Sequence, residues 1–270
     1  MTLITRISPD DWRDLEISVA GILAECGMAV QRGVRLQLPR GHVDVDVLAE
    51  ETTQGIKHSI ICECKDWSSN VPQEKVHAFR TVMHETGANR GYIITRKGFQ
   101  SGAIEAAAST NIELVTFEQF QERYFTNWFN SRIRSIENSI GNFNVYYEPS
   151  PWAKVGYDLL TTDSQRAEYD TVWNKHFFAG ALLTAFSPYL YMIGNYLPPS
   201  LPMDVSRIEG EGFFVPDDIK GATGYREVLA LLEGYARVGL NELRALNPRR
   251  NGTPGVEQVD ELDAPVPRSE

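Results

Sequence analysis

The stretch Arg40–Trp67, "RGHVDVDVLAEETTQGIKHSIICECKDW", decides the fold. Strands buried on both faces read as continuous apolar runs, whereas these two runs carry charge at alternate positions. Turn residues at Thr52–Gly55 separate them, so they read as two strands of a hairpin. Side chains alternate along a strand, which is expected to put Asp44 and Asp46 on one face and Val43, Val45 and Val47 on the other. By the same rule Glu63 and Lys65 share a face with Ile61, while Ile60, Cys62 and Cys64 point the opposite way. The hairpin then brings an Asp, a Glu and a Lys to one place. Acidic oxygens suit a hard divalent cation such as Mg²⁺, which polarises a phosphoryl oxygen and lowers the pKa of a bound water. A lysine beside it orients that water and neutralises developing charge. This is the chemistry of phosphodiester hydrolysis.

On the N-terminal side, Asp10 and Asp11 can cap a helix in which Trp12, Leu15, Val19, Leu23 and Cys26 recur at helical spacing until Gly27 ends it. Glu16 lies one turn from both Trp12 and Val19, at the edge of that stripe. There a carboxylate either reaches solvent or is held by a partner. "MAVQRGVRLQL" follows as a further strand, with turn residues at Pro39–Gly41. On the C-terminal side come a helix at "VPQEKVHAFRTVMHETGA", a strand at "RGYIITR", a small-residue helix at "FQSGAIEAAAST" and a strand at "NIELVTF". Pro72 suits the first turn of the first of these helices and Gly87 its stop. The order α-β-β-β-α-β-α-β predicts a mixed α/β domain over residues 1–120.

In that setting Asp46 followed by "ECK" resembles the PD-(D/E)xK signature of the restriction-endonuclease-like fold, whose core is αβββαβ with a mixed sheet. The surroundings resemble its Mrr-like branch: a Glu in "DWRDLEISVAGIL", then "VDVDV", "ECKDW", "VHAF", "GANRGYIITRKGF" and "IELV". The resemblance spans roughly residues 10–120. It implies a metal-dependent DNA endonuclease of restriction or defence type, using Mg²⁺ with Mn²⁺ as a substitute. Asp46, Glu63 and the backbone carbonyl of Cys64 would hold the metal, and Lys65 would position the attacking water. Glu16 matches an N-terminal acidic residue that assists metal or water binding. Gln73, Lys75, Arg96 and Lys97 are placed near the active face, where their donors meet phosphates or simply face solvent. Asp44 competes with Asp46 for the metal-ligand role, and the continuation "DVLAE" favours Asp46. The commonest Mrr pattern has Gln where this chain has Glu63; the carboxylate is closer to the general signature.

Other classes are disfavoured. No GxxxxGK[ST], GxGxxG or GxSxG occurs, which removes P-loop, Rossmann and hydrolase-elbow chemistry. His42, His58, His77 and His84 show no HxH or HExxH spacing, so zinc is not expected. A net charge of −10 argues against nonspecific coating of nucleic acid but not against a nuclease. Three cysteines without a CxxC read as free thiols in a reducing, cytoplasmic setting, and "MTLITRISPDDW" has no apolar signal core. Phe177–Leu197 is long enough to span a bilayer, but its Thr, Ser, Pro and Asn favour two buried helical pieces broken at Pro188, and no membrane association is expected.

Residues 121–246 read as mostly helical. They hold a long amphipathic helix from Phe117, an aromatic loop over Gly141–Trp152, a helix over Asp163–Phe186, a Pro- and Gly-rich stretch and a helix over Tyr225–Leu246. Residues 247–270 are polar and read as a disordered tail. The helical part is a candidate for target choice, for homodimerisation or for binding a regulatory partner. DNA repair or branched-DNA cleavage, and a non-catalytic interaction module on a nuclease fold, are the competing functions.

Overall fold

The computed structural model describes residues 3–38, 41–65, 69–141, 143–147, 154–186 and 198–248. The expected break at Pro188, much of the aromatic loop and nearly all of the tail therefore lie outside the described residues. By internal contacts the chain divides into two compact units, residues 1–132 and 133–270.

The first unit follows the predicted order: α1 (Trp12–Glu25), β1 (Ala29–Leu38), β2 (Gly41–Thr53), β3 (Ile56–Lys65), α2 (Gln73–Thr86), β4 (Arg90–Thr95), α3 (Ser101–Ala107), β5 (Ile112–Thr116) and α4 (Phe117–Ile140), which runs on into the second unit. The Asp11 carboxylate accepts the backbone N–H groups of Arg13 and Asp14, satisfying donors that the first turn of α1 leaves open. Gly87 closes α2 in the left-handed conformation at φ 68°. Pro72 stands at the N-cap of α2, one position earlier than the first turn.

The sheet runs β1-β2-β3-β4-β5, antiparallel through β3 and parallel beyond it. The parallel half needs crossovers, which α2 and α3 supply. One face packs Val45, Leu48, Ile61, Ile93 and Ile112 against Val76, Phe79 and Met83 of α2 and Ala103 and Ala106 of α3. The approach is close at Gly91 of β4, where a Cβ would come within 2.6 Å of both Met83 Sδ and Phe79 Cε1. The other face is covered by α1, through buried Leu15, Val19 and Leu23, and by α4. Phe120 and Tyr124 of α4 set their rings 5.4 and 5.9 Å from that of Tyr92 on β4. Trp12 departs from the expected apolar stripe: it is 48% exposed, with the Arg13 guanidinium 4.8 Å from its ring. It stands at the first residue of α1, before the helix has settled onto the sheet.

Strand alternation also departs from expectation, and at one point. Val45 and Leu48 are three apart, yet both join the α2-facing cluster, whereas strict alternation would separate them. The break lies at Asp46 and Val47. Pairs Arg32↔Val47 and Val34↔Val45 flank Gly33 of β1, which takes a left-handed φ of 58° opposite Asp46. Val43 and Val45 consequently face the α2 side together with Glu63, instead of lying opposite the charged residues.

The second unit is helical, with α5 (Asp163–Ala185), two short helices α6 (Ser206–Gly210) and α7 (Asp217–Gly221), and α8 (Tyr225–Leu246). A capping box of Thr162 and Gln165 starts α5. Buried Phe178, Leu182, Leu183, Leu232, Leu240 and Leu243 lie on α5 and α8, which pack on each other. Beside them Trp173 stacks on Tyr147 at 5.3 Å between centroids and donates its indole N–H to the Tyr146 carbonyl at 2.7 Å. Among the described residues, no helix is long and apolar enough to cross a membrane.

Candidate active site

The regular pairing of β2 with β3 runs from Thr53↔Ile56 to Val47↔Cys62, and the next opposed pair would be Asp46 and Glu63. There the backbone pairing gives way to a side chain: Asp46 Oδ2 accepts the Cys64 N–H at 2.7 Å. A charge-assisted bond of this kind is stronger than the neutral ladder bond it replaces. It fixes the Asp46 carboxylate between the ends of the two strands.

Glu63 and Lys65 follow on β3, paired with Ile93 and Thr95 of β4, and form an ion pair with each other. Burial raises the Glu63 pKa and the Asp46 charge raises it further, against the opposing pull of Lys65 and Lys75. Burial works against the Lys65 ammonium, but Glu63 and Asp46 outweigh it and hold its pKa above the ordinary value. Lys65 is therefore a firmly protonated donor.

Glu16 reaches this group from α1 and is 9% exposed. Burial raises its pKa, as does Asp46; Arg32 lowers it, Glu63 raises it and Lys65 lowers it. The solvent-reaching alternative for Glu16 does not hold: it is one of four charged side chains, with Asp46, Glu63 and Lys65, that feel one another's fields.

Asp44 is elsewhere. Its carboxylate makes a two-bonded pair with Arg35, at 2.8 and 2.9 Å, on the exposed side of the β1–β2 pair. Arg35 holds the Asp44 pKa below the ordinary range. What distinguishes Asp44 from Asp46 is that β1 presents Arg35 directly across from Asp44 and takes up its carboxylate.

The remaining expected residues are spread more widely. Lys75 lines the same cavity as Glu63 and Lys65. Gln73 Nε2 lies 3.0 Å from His77 Nε2, one turn along α2. Arg96 donates to the Pro9 carbonyl at 2.6 Å and so ties the β4 end to the segment before α1. Lys97 is exposed, its N–H bonded to Thr95 Oγ1 at 3.2 Å. Arg32 escaped the sequence reading; only the register, which sets it opposite Val47, shows that it lies close enough to act on Glu16.

Among the described residues no group of three or more His, Cys, Asp or Glu side chains stands ready to enclose a metal ion. The donor set nevertheless fits Mg²⁺, which retains several waters and is commonly held by one or two carboxylates. Two carboxylates at the strand ends, one raised in pKa by the other, gain from a cation placed between them. The thiols do not compete: Cys62 and Cys64 are buried and free, and burial pushes both well above the ordinary thiol range.

Residues 9–124 match the family model Mrr_cat, described as restriction endonuclease. The matched segment lies within the first unit and contains the mixed five-stranded sheet laid out above. No curated protein matches the chain. A crystal structure of a protein of unknown function, AF1548, is similar over 62% of this chain and 98% of its own, at 14% identity and a TM-score of 0.35.

Proposed function

We propose that the first unit is a metal-dependent DNA endonuclease of restriction type, with Asp46 and Glu63 as metal-holding carboxylates. The observation that carries this is the meeting of Asp46, Glu63 and Lys65 where β2 and β3 part, inside the segment that matches the restriction endonuclease model. The Cys64 carbonyl is on the same strand end and completes the proposed oxygen set. A bound Mg²⁺ would polarise a phosphoryl oxygen and lower the pKa of a coordinated water.

The chain's own contributions follow from charge and donors. Lys65, kept protonated, has three N–H donors and no acceptor. It orients the attacking water and counters charge developing on the phosphate, and does not remove a proton. Glu16, raised in pKa beside Asp46, is the group placed to exchange a proton with water at the site. Lys75, Gln73, Arg96 and Lys97 are proposed phosphate contacts, and the helical residues 121–246 are proposed to supply target choice or self-association.

Supercoiled plasmid, unmethylated and methylated, and a branched duplex are incubated with the protein in Mg²⁺, Mn²⁺ or EDTA, beside Lys65→Ala. Nicking or linearisation that needs the metal and is lost in a folded Lys65→Ala protein supports the reading. Equal cutting by Lys65→Ala, or cutting in EDTA, overturns it. Preference for the branched substrate would favour a repair role over a defence role.

A further inference from the structure

A tryptophan ring is large and on average well buried. Among the described residues Trp128 is fully buried and Trp173 half-buried, whereas Trp12 is 48% exposed. Its place in the fold gives that exposure a use. Residues four apart on a helix lie on one face, one turn above the other. Trp12 therefore stands one turn above Glu16, which is buried in the group with Asp46, Glu63 and Lys65. One face of α1 thus runs from the buried charges at Glu16 out to solvent at Trp12. A second connection ties this end of α1 to the site. Arg96 follows Thr95, the β4 partner of Lys65, and donates to the carbonyl of Pro9, three residues before Trp12.

Four residues of helix span about 6 Å, and neighbouring nucleotides on one strand of a duplex are ~3.4 Å apart. The ring accordingly stands one or two nucleotides from a phosphate attacked beside Glu16. The charges around it decide which part of a nucleotide it meets. Asp10, Asp11 and Asp14 are exposed nearby, and Asp11 is turned onto the N–H groups of Arg13 and Asp14. Carboxylates repel phosphate, which leaves the flat ring itself as the contact. The Arg13 guanidinium, 4.8 Å from the ring centroid, steadies the ring, so that little side-chain freedom remains to be lost on binding. A held, half-exposed ring beside a site that cuts phosphodiesters suits a nucleobase, because every base has a π face.

We propose that Trp12 stacks on one base of the substrate strand, one or two nucleotides from the phosphate being cut. The inference rests on the nuclease reading and deepens it. Stacking on protein requires the base to leave its neighbours, so the contact selects DNA in which that base is already loose more than it selects base identity.

The test uses a base whose position is fixed. The full chain is titrated in EDTA with a duplex carrying a one-base bulge, the same duplex with an abasic site at the bulge, and the fully paired duplex, each followed by fluorescence anisotropy. The natural protein is expected to bind the bulged base about tenfold more tightly than the abasic bulge. Because Trp12 is exposed, Trp12→Ala is expected to keep the circular dichroism spectrum and melting midpoint while binding both bulges equally. Trp12→Phe, which keeps an aromatic face, is expected to restore most of the preference. No preference in the natural protein, a preference retained by folded Trp12→Ala, or an equal loss on both bulges overturns the proposal. Metal is absent throughout, so binding is read apart from cutting. A protein that cuts plasmid as proposed but ignores the bulged base sinks the Trp12 assignment and leaves the nuclease. One that prefers the bulged base but never cuts with Mg²⁺ or Mn²⁺ sinks the nuclease and leaves the stacking contact.

Discussion

Asp46 on β2 holds the backbone N–H of Cys64 on β3 at 2.7 Å, one residue beyond the point where regular pairing of the two strands ends. A strand-end defect is thereby turned into a fixed carboxylate. The two functions of that carboxylate, structural acceptor and proposed metal ligand, separate by mutation.

Asp46→Asn keeps an oxygen for the Cys64 N–H but loses the charge. It is expected to remain folded and to lose at least ~100-fold in cleavage rate, in the upper range for disturbed metal sites. Asp46→Val removes the acceptor as well and leaves a donor unpaired in a buried segment, at a further cost of about 1–3 kcal/mol. Urea denaturation of both variants, beside the cleavage assay, checks the split.

Gly33→Ala places a Cβ on a residue at φ 58°. Nothing lies within 4 Å of that Cβ, so the penalty is one of backbone conformation alone, about 1–2 kcal/mol. Gly33→Asn is expected to cost less, because Asn tolerates this region. Alanine should also lower cleavage by moving β1 against the Asp46 position, while asparagine restores most of it.

Glu16→Gln is expected to stabilise the protein at neutral pH by about 0.5–2 kcal/mol, as removal of a strained site group often does. The sign follows from linkage. Glu16 has a raised pKa in the fold, so the native state retains a proton that the unfolded chain has lost. Stability of the natural protein therefore falls as pH rises from the unfolded value near ~4.3 through the folded value, then levels. The advantage of the glutamine variant should be full above that window and vanish below it, as melting points across pH will show. Cleavage should fall in the same variant.

In the second unit, Gly239→Ala brings a Cβ to 2.8 Å from His176 Cγ, in a ring that is 2% exposed. Overpacking at the α5–α8 contact is expected to cost about 1–3 kcal/mol in a thermal melt. The His176 Nε2 contact with Glu242, at 2.9 Å, would be displaced with it.

The sequence shows the element order and the gathering of Asp46, Glu63, Lys65 and Glu16 because both rest on local signals: caps, periodicity and charge set into apolar strands. What it conceals depends on pairing between distant segments. Asp44 reads as a rival to Asp46 until the register sets Arg35 across from it. The break in alternation at Asp46 follows from a left-handed glycine on the neighbouring strand, and no feature of β2 announces it. Arg32 likewise becomes part of the site through its position in the sheet. Arg96 is a further case: the sequence does not show that one of its donors reaches the Pro9 carbonyl, 87 residues earlier in the chain.

Gly91 lies outside the cavity lining, yet it governs how deep the cavity is. Because β4 has no side chain there, Phe79 and Met83 of α2 sink toward the strand to where a methyl group would stand. Phe79 is also a wall of the cavity, so its retreat is what keeps the space beside Glu63 and Lys65 open. A single methyl at residue 91 would lever the helix outward and reshape the chamber from behind. The dimensions of that cavity are thus set by a residue that does not line it.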